Sequence, residues 1–239
     1  MSSSTSTPSP RADDRIQGSV GRTVLTLDAI TKRWRGAQLP VLNDVGLTVA
    51  PGSLVQITGR NGAGKTTLLR IAAGLIFPDS GRVTINGHDL RQARRAAHRQ
   101  IGFLTAASAG LYARLTVGQH LDFAARIALL DPREVRGAVA RSADHFELTE
   151  LIDRRVDRLS MGQRQRARLA MTCLHRPSLL LLDEPANSLD PEGLAILGNA
   201  VRSTTEGGGA VLWCAPSGEA PPLPPDVRLK VDGGRLEPV

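Results

Sequence analysis

The sequence predicts an α/β fold, in which strands of a parallel sheet alternate with helices and a separate helical lobe is inserted. Three observations lead to this class. An apolar strand at 54–58 continues through a glycine-rich stretch into a helix from Thr67 to Ala73. The run 179–182 consists of four leucines, which is typical of a central strand buried on both faces. Between these strands, 115–159 has the apolar spacing of helices.

The N-terminal part of the chain predicts strands on both sides of the glycine-rich stretch. The segments 24–27 and 41–49 have strand character, and 83–87 is typical of a strand that enters a turn. Residues 1–21 are rich in serine and lack an apolar core, which predicts a disordered tail and not a signal peptide. The folded domain is therefore expected to span 22–239.

The inserted helical lobe is expected at about 105–160. Thr116 to Leu130 has helical apolar spacing. Asp131-Pro132 then offers a cap and a first-turn proline for a second helix, and the segment from Glu147 to Ile152 predicts a third.

The last part of the chain returns to the α/β core. A helix is predicted from Pro191 to Ser203 and a strand at 210–214, with a glycine turn at 207–209 between them. The segment 219–226 contains four prolines, which exclude a helix there.

Composition and charge narrow the class of protein. The chain has 239 residues and a formal charge of +7, and it has no apolar stretch near the ~20 residues needed to cross a bilayer. Cys173 and Cys214 lie in apolar segments, which predicts buried free thiols in a reducing compartment. Aromatic residues make up only 3% of the chain, so nucleic-acid binding by base stacking is not expected. Four basic residues at helical spacing predict a solvated helix face: Arg91, Arg94, Arg95 and Arg99.

The stretch 59–66 fits a phosphate-binding loop, in which a glycine and four free positions precede Gly-Lys-Thr. Glycines let successive backbone N–H groups turn towards the phosphates. Lys65 can reach the β and γ oxygens, and Thr66 offers a hydroxyl to Mg²⁺. The nucleotide-binding residues predicted from this loop and the helix after it are Gly59, Asn61, Gly62, Gly64, Lys65, Thr66 and Thr67.

A second phosphate surface is predicted where an alanine-rich helix begins after Leu159. Ser160 is placed as an N-cap, and Gly162 and Gln163 add a close-approach backbone and an amide at the positive helix end. An ordinary capped helix is the alternative.

Two carboxylates follow the leucine strand at 179–182. The strand end is expected to deliver Asp183 towards Mg²⁺ and Glu184, as the catalytic residue, towards a water that attacks the γ-phosphate. The alternative is a buried strand that merely ends in solvated acids.

Together, these motifs resemble the nucleotide-binding subunit of ABC transporters, from about Val24 to Val231. The resemblance implies a P-loop NTPase (RecA-like) core, an N-terminal antiparallel β subdomain and an inserted α-helical subdomain. It implies ATP and Mg²⁺ as cofactors, with the signature sequence at 159–163 closing over the nucleotide of a partner subunit. It also places Trp34 where family members stack an aromatic ring on adenine, whereas packing on the core is the alternative for this residue.

The chain departs from the family pattern at two places. The glutamine expected after the strand at 101–104 is replaced by the run Thr105-Ala106-Ala107-Ser108, and some exporters resemble it in this altered segment before 110–116. Pro216 stands at the switch-histidine position and has neither an imidazole nor a backbone donor. The five histidines, His88, His98, His120, His145 and His175, are predicted to be surface or packing residues.

The expected function is that of a cytoplasmic ATP-binding subunit on the inner face of the cell membrane. It would form a homodimer or heterodimer and drive a separate transmembrane permease, as an exporter with slow or partner-dependent hydrolysis. Two alternatives stay open: a catalytically degenerate regulatory module, and a soluble ABC-type ATPase that acts on ribosomes or DNA.

Overall fold

The computed structural model describes residues 22–106 and 110–239. The predicted tail at 1–21 lies outside these residues, as do Ala107 and Ser108. Two sheets organise the chain, one of four strands in the order β2-β1-β4-β5 and one of six in the order β10-β9-β3-β8-β7-β6. The strands are β1 Leu25–Lys32, β2 Leu42–Val49, β3 Leu54–Thr58, β4 Ser80–Ile85, β5 His88–Asp89, β6 Ile101–Leu104, β7 Leu179–Asp183, β8 Ala210–Cys214, β9 Val227–Asp232 and β10 Arg235–Pro238.

The four-stranded sheet is antiparallel throughout, as expected for the N-terminal subdomain. In the larger sheet, β3, β6, β7, β8 and β9 are parallel, and only the edge strand β10 runs antiparallel to β9. All residues of β7 and β8 are buried, because helices cover both faces of this sheet. The core of the molecule therefore lies on both sides of the central strands.

Six helices are described: α1 Lys65–Ala72, α2 Arg94–His98, α3 Val117–Ile127, α4 Pro132–His145, α5 Met161–Cys173 and α6 Pro191–Glu206. Alternate residues of β7 face two different clusters. Leu181 packs with α1, whereas Leu182 packs with α3, α4 and α5. The helix of the phosphate loop and the helices of the inserted lobe are thus on opposite faces of the same sheet.

The structure corrects one predicted helix and adds a hairpin that the sequence analysis missed. The third helix predicted from Glu147 to Ile152 is only a 3-10 turn at Thr149–Leu151, and Glu147 has a left-handed φ of 51° that interrupts any continuous helix. The sequence analysis also missed the hairpin of β9 and β10, which completes the sheet beside β3. The prediction that 219–226 is not helical is confirmed.

Candidate functional site

The phosphate-loop stretch leads from the end of β3 to the start of α1. Gly59 and Gly64 have φ of 153° and 115°, and a Cβ on them would lie 2.8 Å from the Val231 carbonyl oxygen and 2.9 Å from the Val41 carbonyl oxygen. Glycine is therefore required at both positions for conformation and for space. The loop is held between the start of β2 and the end of β9, so its shape is fixed by the fold.

Lys65 is folded back into the loop. It is only 5% exposed, and its ammonium donates to the carbonyl oxygens of Gly59 at 2.7 Å and Arg60 at 3.2 Å. A cation held over the mouth of a glycine-rich loop suits a polyphosphate. The side chain of Thr67, in the same first turn, is half-buried, and Asn61 and Gly62 are exposed at the tip.

The N-terminus of α1 is free of capping side chains within the described residues. Its N-cap is Gly64, and its first turn contains no acidic residue. Backbone N–H groups at such a helix end lack intrahelical partners and carry the positive end of the helix dipole. The geometry therefore fits an anion at this point.

Thr66 and Asp183 lie in contact at the end of β7. The Thr66 hydroxyl donates to the two carboxylate oxygens of Asp183 at 2.9 and 3.2 Å. Burial raises the pKa of Asp183 above its usual value, and the hydrogen bond from Thr66 offsets only part of this shift. A buried carboxylate beside a hydroxyl is a set of hard oxygen donors, which fits Mg²⁺ shared with phosphate oxygens.

Glu184 lies one residue further, with a left-handed φ of 48°. Its backbone N–H donates to the Cys214 carbonyl oxygen at 2.8 Å, which anchors the turn to β8. Asn187 donates through Nδ2 to Glu184 Oε2 at 2.9 Å. The sequence analysis missed the contact of Asn187 with Glu184, because it depends on the left-handed turn at Glu184 within the loop after β7.

Ser160 and Gln163 form a capping box at the start of α5. The Gln163 N–H donates to Ser160 Oγ at 3.2 Å, and the Ser160 N–H donates to Gln163 Oε1 at 3.0 Å. Gly162 has the Ser188 carbonyl oxygen and Asp190 as its nearest neighbours. Among the described residues, no hydrogen bond joins this corner to the Lys65 loop, and α5 packs on the other face of the sheet from α1.

Trp34 is exposed at the end of β1 and does not pack in the core, since 46% of its surface is accessible. The Lys32 ammonium lies 5.5 Å from the centroid of its ring. The core-packing alternative for Trp34 is therefore wrong, whereas its role with adenine stays a prediction. The other tryptophan, Trp213, is fully buried in β8.

The loop after β8 carries Pro216 and no helix. Gln56 donates through Nε2 to the Glu219 carbonyl oxygen at 2.7 Å and holds this loop over the sheet. Burial raises the pKa of Glu219, and the nearby charge of Glu184 raises it further. The altered switch segment therefore brings a second carboxylate close to the first.

The histidines have packing or surface positions, as predicted. The fully buried His120 accepts from the Tyr112 N–H at 2.9 Å and pairs through Nδ1 with the Thr116 carbonyl oxygen. His88 and His145 are exposed. Cys173 and Cys214 are free thiols, and Cys214 is buried whereas Cys173 is partly buried.

A groove of about 730 Å³ lies between α2, α3 and α5. Its apolar side includes Phe103, Phe123 and Ile127, and the last two are 47% and 64% exposed. Its basic rim consists of Arg94, Arg95 and Arg99, which are exposed as predicted. The predicted helix face is wrong for Arg91 and Arg99, because α2 spans only Arg94–His98. No helix within the described ranges is long and apolar enough to cross a membrane.

Comparison with known proteins identifies relatives of this chain. The sequence profile of the family described as ABC transporter matches residues 42–187. The daunorubicin resistance ATP-binding protein DrrA3 of Streptomyces coeruleorubidus is 35% identical over 214 residues, covering 90% of this chain and 67% of DrrA3. The sulfate/thiosulfate import ATP-binding protein CysA of Synechococcus elongatus is 43% identical over 149 residues, covering 62% of this chain and 43% of CysA.

Among solved structures, an ATP-binding subunit of an ABC transporter superposes with a TM-score of 0.80 at 26% identity. The alignment covers 90% of this chain and 88% of that one.

Proposed function

The chain belongs to the ABC transporter family, whose ATP-binding domains bind ATP with Mg²⁺, and from that premise we propose that it is the ATPase subunit of an exporter. In this proposal, ATP binding and slow hydrolysis drive a separate transmembrane permease from the cytoplasmic face of the membrane. The contact of Thr66 with Asp183 beside Glu184, next to the buried Lys65, is the observation that carries it.

Each of these residues has a proposed task in the reaction. The loop glycines and Lys65 bind the phosphates, Thr66 and Asp183 hold the metal, and Glu184 orients and deprotonates the attacking water. Bound Mg²⁺ would neutralise the charge on the β- and γ-phosphates. Trp34 stacks on adenine with the ring face that Lys32 does not cover.

Hydrolysis is proposed to be slow because two positions that usually hold the γ-phosphate and the water are altered. Pro216 has no donor, and Thr105 and Ala106 lack an amide side chain. Transition-state stabilisation is then reduced more than ATP binding. We expect turnover below the ~1 to 10³ per second typical of enzymes.

Steady-state phosphate release by the wild type, Glu184→Gln and Pro216→His tests this proposal. Loss of a general base lowers turnover by about 10²- to 10⁴-fold, so Glu184→Gln is expected to remove the remaining activity and leave ATP affinity unchanged. Pro216→His is expected to raise turnover. Brisk wild-type turnover that is insensitive to Glu184→Gln would contradict the assignment. ATP binding without any turnover would favour the regulatory module instead.

The groove between α2, α3 and α5 is the proposed docking surface for the permease. Its exposed apolar residues and basic rim suit an amphipathic helix with acidic residues. Pull-down with a tagged multi-span membrane protein encoded beside this chain tests this. Phe123→Glu and Ile127→Glu are expected to abolish co-purification, whereas Val239→Glu, at an exposed apolar site near the C-terminus, is expected to leave it intact. Equal binding by all three variants would contradict the assignment of the groove.

Export is proposed from the name of DrrA3 and from the exporter-like segment before Gly110. CysA, whose name denotes import, makes uptake the alternative. Daunorubicin efflux from cells that express both chains is the first assay of direction, with Lys65→Ala as the control. Net uptake that depends on ATP would contradict export.

A further inference from the structure

One face of α5 contacts both the groove and the catalytic edge of the sheet. Arg168, Met171 and Thr172 are spaced three and four residues apart, so they lie along the same side of the helix, and His175 follows in the turn after the helix ends at Cys173. The last three line the groove. Arg168 donates through Nη2 to the carbonyl oxygen of Thr105, the residue that follows β6, at 2.5 Å.

Side chains of α5 and of the turn after it bond the backbone at both ends of β6. His175 Nε2 pairs with the Ile101 carbonyl oxygen at 3.0 Å where the strand begins, and Arg168 bonds Thr105 just beyond its end. In the middle, a Cβ on Gly102 would lie 2.7 Å from the Thr172 carbonyl oxygen. The helix therefore rests directly on the strand.

A second set of contacts extends from Arg168 to the loop after β7. Arg168 donates through Nη1 to Gln165 Oε1 at 2.8 Å, and the buried Gln165 donates through Nε2 to the Pro185 carbonyl oxygen at 3.0 Å. Pro185 directly follows Glu184. On the other side, Thr105 directly follows β6, whose last residue, Leu104, pairs with Leu182 of β7.

We propose that Arg168 is a positioning residue for ATP hydrolysis. With Gln165 it holds the segment after β6 against the loop after β7, which begins at Glu184. Without the usual glutamine, the side chains of Thr105 and Ala106 cannot link this segment to the catalytic site as an amide would. Arg168 links the same segment from the side of α5 instead. A permease helix in the groove would contact the same face of α5, a step that rests on the proposed function.

The bridge itself is tested without nucleotide or permease by hydrogen exchange at the Ala106 amide. Arg168→Ala is expected to speed this exchange by about tenfold, because the peptide group that joins Thr105 to Ala106 loses its anchor at the Thr105 carbonyl oxygen. Arg166→Ala is the matched control, since Arg166 lies on the same helix and instead pairs with Glu147 at 3.2 Å. Equal exchange in the wild type and in Arg168→Ala would overturn the bridge.

Positioning of the reaction is tested by steady-state kinetics and by calorimetry of ATP binding with and without Mg²⁺. Arg168→Ala is expected to lower kcat by between about 10- and 100-fold with KM within about twofold, and to weaken the gain in ATP affinity that Mg²⁺ brings. Arg168→Lys, which can still reach one of the two acceptors, is expected to recover part of both.

Three outcomes would overturn the role of Arg168. These are an unchanged kcat, an equal loss in Arg166→Ala, or a loss in thermal stability alone with normal kinetics. If the wild type shows no turnover at all, the slow-hydrolysis part of the proposed function fails, and the Mg²⁺-dependent affinity alone decides the role of Arg168.

Discussion

The two predicted phosphate surfaces are both helix N-termini, yet they are built in opposite ways. At α1 the helix end is uncapped, the lysine is buried, and backbone from β2 and β9 closes around the glycines. At α5 the helix end is closed by the capping box of Ser160 and Gln163, and both Ser160 and Met161 are exposed.

This difference indicates what each surface can do by itself. The α1 end keeps backbone donors free and already holds a cation over them, so one chain has a complete binding surface for polyphosphate. The α5 end has satisfied part of its own donors and faces solvent, so it adds to a phosphate that another surface holds. We therefore expect the α1 loop to determine ATP affinity and the α5 corner to determine ATP-dependent dimer closure.

Lys65→Ala is the largest expected break in this comparison. It removes the charged donor aimed at the phosphates, and hydrogen bonds to charged groups contribute about 1.5 to 3 kcal/mol each. With two such bonds lost, MgATP affinity is expected to fall by about 3 kcal/mol or more, over 100-fold in Kd. Calorimetry measures this directly. Arg60→Ala, at the exposed neighbouring cation of the same loop, is the control and is expected to have a much smaller effect. Unchanged affinity in Lys65→Ala would rule out this loop.

Trp34→Ala tests whether adenine binds beside the α1 loop, and its expected effect on ATP affinity is smaller. If its free ring face stacks on adenine, Trp34→Ala weakens ATP affinity by about 1 to 3 kcal/mol, and its fluorescence changes on binding. The measurement needs a Trp213→Phe background. That change is tolerable because the Trp213 Nε1 has no hydrogen-bond partner among the described residues, so no bond is lost. A nucleotide-insensitive Trp34 signal would place adenine elsewhere.

Strands that a local sequence pattern defines could be predicted, whereas a strand that depends on a partner far away in the sequence could not. The bounds of β3 and β8 were predicted as observed, because a continuous apolar run defines a buried strand locally, and the bounds of β6 followed from the family resemblance. The β9–β10 hairpin was missed although Val227–Asp232 alternates apolar and polar residues. Alternation over six residues beside four prolines is a weak signal, and its partner strand β3 is more than 160 residues away.

The residues of the candidate site also fall into those that local motifs predict and those that only the folded structure brings together. Lys65, Thr66, Asp183 and Glu184 could be predicted because each lies in a short motif whose spacing reflects phosphate and metal chemistry. The contact of Asn187 with Glu184 could not, because it depends on the left-handed turn at Glu184, and the contact of Arg168 with Thr105 could not, because α5 meets the end of β6 only in the folded domain. Exposure of Trp34 likewise depends on the packing around it and not on its neighbours in sequence.

The smallest expected effect is that of Ser160→Ala at the start of α5, which distinguishes a loss of stability from a loss of dimer closure. Ser160→Ala removes an N-cap and is expected to cost about 1 kcal/mol of unfolding free energy. Thr116→Ala is the matched control, because Thr116 and Gln119 form the same capping box at the start of α3 in the same lobe. Both variants should lose similar stability in thermal unfolding, and both should keep wild-type ATP affinity as monomers.

Only Ser160→Ala should weaken ATP-dependent dimerisation, measured by sedimentation in a Glu184→Gln background that prevents hydrolysis. The reason is that the Ser160 hydroxyl lies at an exposed helix end able to approach a phosphate on a second chain, whereas Thr116 only caps its helix. If both variants dimerise equally, the α5 corner is an ordinary capped helix, and the ATP-bound dimer must be closed by other residues.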